Sequence, residues 1–221
     1  GIIAAERGNE IGINGIADNV KIMALRAVPE GDEYDKDVAL AIRYAVDNGA
    51  RIINMSFGKD FSPQEEMVEQ AIKYALSKDV LLIHAAGNSS VDMDKNERFP
   101  NRYIAEKAVD NWITVGANTM DDSDELAAEF SNYGQLEVDI FAPGHDLLST
   151  YPENQYNIQS GTSFAAPVVT GVAALLWTSF PDLKASEIKE IILQSSHNYG
   201  RARVYIPTEA EKRKKTRFKK L

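Results

Sequence analysis

The sequence contains no cysteine. That excludes a disulfide framework, a thiolate zinc site and a cysteine nucleophile. It also lacks a long apolar run. The longest, Val168 to Trp177, is interrupted by Thr170 and Gly171 and falls short of the ~18 residues a membrane helix needs, so no membrane span is expected. Positive charge is scarce, with 24 Lys and Arg against 33 Asp and Glu for a net charge of −9. The deficit is uneven, because Glu209 to Leu221 carries a local +5 and leaves −14 on the other 208 residues. A body that acidic lacks the basic surface that releases counterions from phosphates, so no nucleic-acid partner is expected. The tail can reverse this locally; it reads instead as a solvated or strand-forming terminus that offsets the acidic body. No basic apolar leader opens the chain at Gly1 and no methionine precedes it, which reads as a processed product or an excised piece.

What is present is 221 residues, 44% apolar and 26% charged, enough for one domain with a real core. The expected layout is that domain over residues 1–208 and the basic tail over 209–221. Short apolar runs alternate with longer amphipathic ones, which predicts an α/β fold of three layers, a mostly parallel sheet with helices on both faces. Strands are expected at Lys21 to Val28, Ala50 to Phe57, Val80 to Ala86, Trp112 to Ala117 and Val138 to Ala142. Helices are expected at Asp37 to Asn48 with Gly49 as the terminating residue, from Ser62 and Pro63 to about Lys78, at Ser163 to Phe180, and at Ala185 to Gln194 with Ser186 as its cap. Parallel sheets carry their functional groups just beyond the carboxyl ends of strands. Two such ends are rich in polar and small residues, Asn54-Met55-Ser56-Phe57-Gly58 and Ala85-Ala86-Gly87-Asn88.

The segment Gly161-Thr162-Ser163-Phe164-Ala165-Ala166-Pro167 places a serine hydroxyl at the start of an apolar helix. Unpaired N–H groups and the partial positive charge of a helix N-terminus favour an anion beside that hydroxyl, as a nucleophile attacking a carbonyl requires. A helix-capping role for Ser163 stands as the alternative. Asn88 ends a buried strand after three small residues, where its amide can supply a second donor to an oxyanion. Its alternative is a turn residue after Gly87. A nucleophile elbow of the Gly-x-Ser-x-Gly type does not fit, because position 165 is alanine.

The motifs AAGN and GTSFAAP, with INMSFG before them and WITVGA, FSNYG and FAPG between, resemble in content and order the subtilisin-like serine peptidases, over nearly the whole chain. The resemblance implies a serine endopeptidase in which Ser163 forms the acyl-enzyme, with the Asn88 side chain and the Ser163 N–H as oxyanion donors. It implies that Ser56, Phe57 and Gly58 pair with an extended polypeptide substrate, and that Ala85, Ala86 and Gly87 wall the primary specificity pocket. Family habit implies a secreted or periplasmic setting.

The resemblance also implies what is missing. The family's base lies in a His-Gly-Thr-His type motif that would end just before Gly1, and its orienting aspartate lies further upstream. His84 is expected to pack away from the side Ala85 serves, and His145 and His197 to lie on the surface. The chain is therefore expected to be a fragment, truncated at the N-terminus and at the C-terminus, inactive alone, with base and acid supplied by residues it does not contain. A non-catalytic module that grips extended peptides is the alternative. Five acids between Glu30 and Asp37 can favour basic substrate side chains, or can form a solvated loop with Asp35 or Asp37 capping the next helix. Glu97-Arg98-Phe99-Pro100 resembles the far end of the primary pocket. No cofactor is expected; calcium is suggested only by the resemblance of Gly8-Asn9-Glu10-Ile11-Gly12 to an oxygen-donor loop.

Overall fold

The computed structural model describes residues 1–28, 31–121, 126–199, 203–207 and 215–217. Its centre is a four-stranded parallel sheet of β1 (Ile52–Met55), β2 (Leu81–Ala85), β5 (Trp112–Asn118) and β6 (Ile140–Pro143), in that spatial order, with the short antiparallel pair β3 (Tyr103–Ile104) and β4 (Lys107–Ala108) outside it. Register is continuous: Ile53 pairs with Leu82, Ile83 with Ile113, and Val115 with Ile140. Alternation along each strand divides the core between two faces. Leu81, Ile83, Ala85, Ile113, Val115 and Ala117 pack under α3 (Thr162–Ser179) and α4 (Ala185–Ser195). Met55, Leu82 and Trp112 pack under α1 (Asp35–Asp47) and α2 (Glu65–Ser77). The three-layer α/β reading holds.

The helices follow from their apolar spacing. In α1 the buried residues Val38, Ala39, Ile42, Ala45 and Val46 recur at helical intervals. The helix ends where Gly49 adopts φ +81, the left-handed region that glycine enters without a Cβ clash.

Two expectations need correction, one hairpin was not anticipated, and one helix bears on the membrane reading. Lys21 to Val28 forms no strand, and Ile22, Met23 and Leu25 are exposed. Its apolar pattern satisfies a strand, but among the described residues no strand pairs with it to share its backbone hydrogen bonds, and the four-stranded sheet ends at β1. Ser186 does not cap α4; Glu187 accepts the Lys184 N–H at 2.8 Å, and Asp79 accepts the Ala185 N–H at 3.0 Å. The hairpin β7 (Leu147–Tyr151) and β8 (Gln155–Gln159) was not anticipated. Finally, α3 is long and apolar enough to cross a membrane by length and composition alone. In this structure it packs on the sheet, with Ala165, Ala166, Val169, Ala173 and Trp177 buried in the core. Of the basic tail, only Lys215–Arg217 is described, paired antiparallel with Arg203–Tyr205; the rest lies outside the described residues.

Candidate active site

The carboxyl ends of β1 and β2 meet the N-terminus of α3, and there Asn88 and Ser163 converge. The helix begins after Gly161, whose φ of 155 and ψ of 155 mark the chain's entry into it. Ser163 is the second helical residue, so it does not cap α3. Its hydroxyl donates to the Ser56 carbonyl at 3.1 Å. Its N–H, one of the orphan donors of a first helical turn, has no hydrogen-bond partner among the described residues.

Asn88 is held from the helix. Its side-chain oxygen accepts the Thr162 N–H at 2.8 Å and the Thr162 hydroxyl at 2.9 Å. An amide whose oxygen is committed presents its NH₂. A Cβ placed on Gly161 would lie 3.4 Å from that Asn88 nitrogen and 3.7 Å from the Ser163 backbone nitrogen. Two N–H sources therefore flank one small space, kept open by a residue without a side chain. Asn88 is exposed and Ser163 half-buried, so the space opens to solvent.

A second layer of bonds fixes the loop that carries Asn88. Gly87 donates its N–H to the Thr162 hydroxyl at 3.0 Å. Asn132, fully buried, donates to the Ala86 carbonyl and accepts the N–H groups of Ser89 and Val91, while its own N–H goes to the Gly87 carbonyl. Gly87 has φ +101, and a Cβ there would fall 2.5 Å from the Asn132 amide. Sequence reading missed Thr162 and Asn132 as holding residues. The only signal was their place in GTSFAAP and FSNYG, because a hydrogen bond across about forty to seventy residues leaves no periodic trace.

The expected substrate wall is arranged as an extended segment. The Phe57 carbonyl faces away from the cleft and meets His84 Nε2 at 2.8 Å. Gly58 is exposed, and neither its N–H nor its carbonyl has a partner among the described residues. Alternation thus leaves the Ser56 carbonyl and both Gly58 groups on the open side. Opposite, Ala85 and Ala86 are buried, and the backbone groups of Ala86 and Gly87 are bonded internally. That side is a surface of small residues and offers no ladder.

None of the three histidines contacts Ser163. His84 is buried against Trp112, 5.2 Å between rings. Burial lowers its pKa from 6.5 to about 4, opposed by its bond to Phe57 and reinforced by the nearby Arg102 charge. It is therefore a neutral imidazole donating from Nε2 to a carbonyl. His145 pairs with Asp146 at 3.2 Å and stacks on Phe130, and His197 packs edge-on to Tyr199.

The acidic loop is turned inward at Glu33 and Asp35, which are buried, while Asp32 is exposed; Glu30 lies outside the described residues. Asp35 is buried and bonded to Lys59 Nζ at 2.6 Å, to the Ser62 hydroxyl and to the Gln64 N–H. Burial would raise its pKa, but these donors reverse the shift and hold it low. Asp35 therefore secures the entrance to α2 and does not cap its own helix. Arg98 forms an ion pair with Asp60, beside the bridge between Lys59 and Phe99. In the glycine-rich loop, Asn9 Oδ1 accepts the Ile11 N–H at 3.0 Å, closing the loop on itself. Among the described residues no group of three or more His, Asp or Glu side chains converges.

Comparison with known proteins bears on the family and the fold. The model of the Subtilase family matches residues 1–216. A thermophilic serine proteinase from Bacillus sp. (strain AK1) is 42% identical over 177 residues, covering 80% of this chain and 40% of that protein. Subtilisin DY from Bacillus licheniformis is 34% identical over 194 residues, covering 87% of this chain and 66% of that protein. A solved structure of proteases from Pseudoalteromonas arctica PAMC 21717 superposes with TM-score 0.79 at 28% identity, covering 90% of this chain and 62% of that one. The chain thus spans between 40% and 66% of the length of these curated relatives.

Proposed function

This chain belongs to the subtilase family, and from that premise we propose that it is the nucleophile-bearing core of a serine endopeptidase. Ser163 attacks the carbonyl of a peptide bond and forms an acyl-enzyme. The Asn88 amide and the Ser163 N–H receive the oxyanion. Ser56, Phe57 and Gly58 take an extended substrate as an added strand, and Ala85, Ala86 and Gly87 line the pocket for the side chain at the cut. The general base and its orienting acid come from polypeptide outside residues 1–221, because each histidine within them is engaged elsewhere. A secreted or periplasmic setting goes with this proposal, supported by family resemblance alone. No nucleic-acid partner and no cofactor enter the reading.

The observation that supports it most directly is the Asn88 amide, whose oxygen is tied to Thr162 while its nitrogen borders the space beside the Ser163 N–H. Its test is hydrolysis of peptide esters by the protein that carries this chain, with Ser163→Ala abolishing acylation and burst-phase product. Turnover that Ser163→Ala leaves at the unsubstituted rate would end the reading, since only a small residual rate from donors and binding is expected without the nucleophile.

A second reading, a module that binds extended peptides without cutting them, is favoured by one contact. The Ser163 hydroxyl spends its proton on the Ser56 carbonyl and meets no base among the described residues. Recovery of an intact peptide bound to the whole protein, with no cleavage over long incubation, would favour that reading.

A further inference from the structure

Pro167 lies inside α3, and a proline has no N–H to give. In an unbroken helix the residue at 167 would donate to the carbonyl of Ser163, four positions earlier. That carbonyl is instead bonded by the hydroxyl of Ser56, at 2.9 Å. Ser56 belongs to the end of the sheet, so the donor missing from the helix is supplied from across the cleft.

The Ser56 hydroxyl is itself aimed. Asn54 Nδ2 donates to Ser56 Oγ at 2.9 Å, and Thr170 Oγ lies 3.0 Å from Asn54 Oδ1. Thr170 Oγ is also 3.0 Å from the Ala166 carbonyl, the usual target of a threonine inside a helix. The direction of the chain follows from counting protons. If the Asn54 amide were reversed, the Ser56 proton would turn to it and the Ser163 carbonyl would have no donor. Running from Thr170 to Asn54 to Ser56 to the Ser163 carbonyl, every group is served. Ser56 then grips Ser163 twice, since its own carbonyl accepts the Ser163 hydroxyl.

We propose that Ser56, Asn54 and Thr170 form a positioning relay, in which the Ser56 hydroxyl stands in for the N–H that Pro167 lacks and fixes the angle at which α3 presents Ser163. The inference rests on Ser163 being the nucleophile. Ser56, expected to bind substrate through its backbone, gains a separate task for its side chain. None of the three relay side chains touches the reacting atoms; they act through the peptide unit of Ser163.

The test uses the whole protein that carries this chain and reads kcat, KM and amide hydrogen exchange in the first turn of α3. Ser56→Ala is expected to lower kcat about tenfold, the usual cost of an unmet buried acceptor, with little change in KM and faster exchange at Phe164 and Ala165. Adding Pro167→Ala restores an N–H at position 167 and is expected to return most of the lost kcat and the protection. Thr170→Val is expected to weaken both in the same direction, and Thr170→Ser to preserve them. These last two variants carry the test if Ser56→Ala folds poorly. Unchanged kcat in Ser56→Ala, a change confined to KM, or a loss that Pro167→Ala does not repair in a folded double variant would each overturn the relay. If Ser163→Ala is inactive while Ser56→Ala is unimpaired, the relay alone fails. If Ser163→Ala keeps its turnover, the endopeptidase reading fails with it.

Discussion

Asn88 and Thr162 are joined twice, through the backbone N–H and the hydroxyl of Thr162, both donated to the same side-chain oxygen. The pair ties the end of a sheet strand to the start of a helix and fixes which end of the Asn88 amide faces the cleft. Asn88→Ala is expected to lower kcat by about 10² to 10³ with little effect on KM, a magnitude known from subtilisin, a member of the same family. Thr162→Val removes one of the two bonds and also the acceptor of the Gly87 N–H; a fall of about tenfold is expected. Steady-state ester hydrolysis by the whole protein checks both, and an Asn88→Ala enzyme at full speed would remove the oxyanion role.

The 221-residue chain on its own is expected to hydrolyse peptide esters no faster than its Ser163→Ala version, because its histidines are committed to Phe57, Asp146 and Tyr199. The comparison with Ser163→Ala matters because donors and binding alone retain some rate. Turnover dependent on Ser163 in this chain would put a working base inside residues 1–221.

His84 makes stability depend on pH. Its folded-state pKa is lowered to about 4 from 6.5 by burial, so the unfolded chain takes up a proton first as the pH falls. Stability is then complete above 6.5 and declines between 6.5 and about 4, by up to about 3 kcal/mol. His84→Gln keeps a donor for the Phe57 carbonyl without titrating, and its urea midpoint is expected to vary less across that window. Parallel curves for the two proteins would show that another group controls acid sensitivity.

Arg102 is a buried guanidinium that forks onto both carboxylate oxygens of Asp139, at 2.9 and 2.7 Å, and also reaches Thr114 and the Glu137 carbonyl. Arg102→Ala leaves Asp139 without that fork and is expected to cost about 3 to 5 kcal/mol. Arg102→Lys keeps the charge but not the fork, and is expected to recover only part of the loss. Denaturant unfolding measures both, and a loss below about 1 kcal/mol would class the bridge with exposed ion pairs.

Periodicity in the sequence was enough for the layers of this fold, while the candidate site residues were named from motifs at element ends and from the family resemblance they carry. The orientation of His84 followed from alternation alone: with Ala85 under α3, its neighbour must point to the α1 and α2 face. The strand at Lys21 to Val28 failed for the complementary reason, since a pattern shows which side of a segment is apolar but not whether a neighbour exists to pair with it. The convergence of Ser163 with Asn88 was legible because each sits at an element terminus, where chemistry concentrates in parallel sheets. Thr162, Asn132 and the Ser56 hydroxyl were not, because each acts through a partner distant in sequence. Asp35 misled for the same reason, its acidity suggesting a solvent-facing role while Lys59 and Ser62 held it inside.

The outer margin of β1 bears on how the protein behaves in a tube. Helices cover the two broad sides of the sheet, yet no described strand lies against that margin, which leaves its peptide dipoles unshared among the described strands. Such a rim accepts almost any extended polypeptide. Sedimentation of the purified chain will therefore vary with dilution, and the heavier species will report adhesion at that rim before they report any physiological assembly.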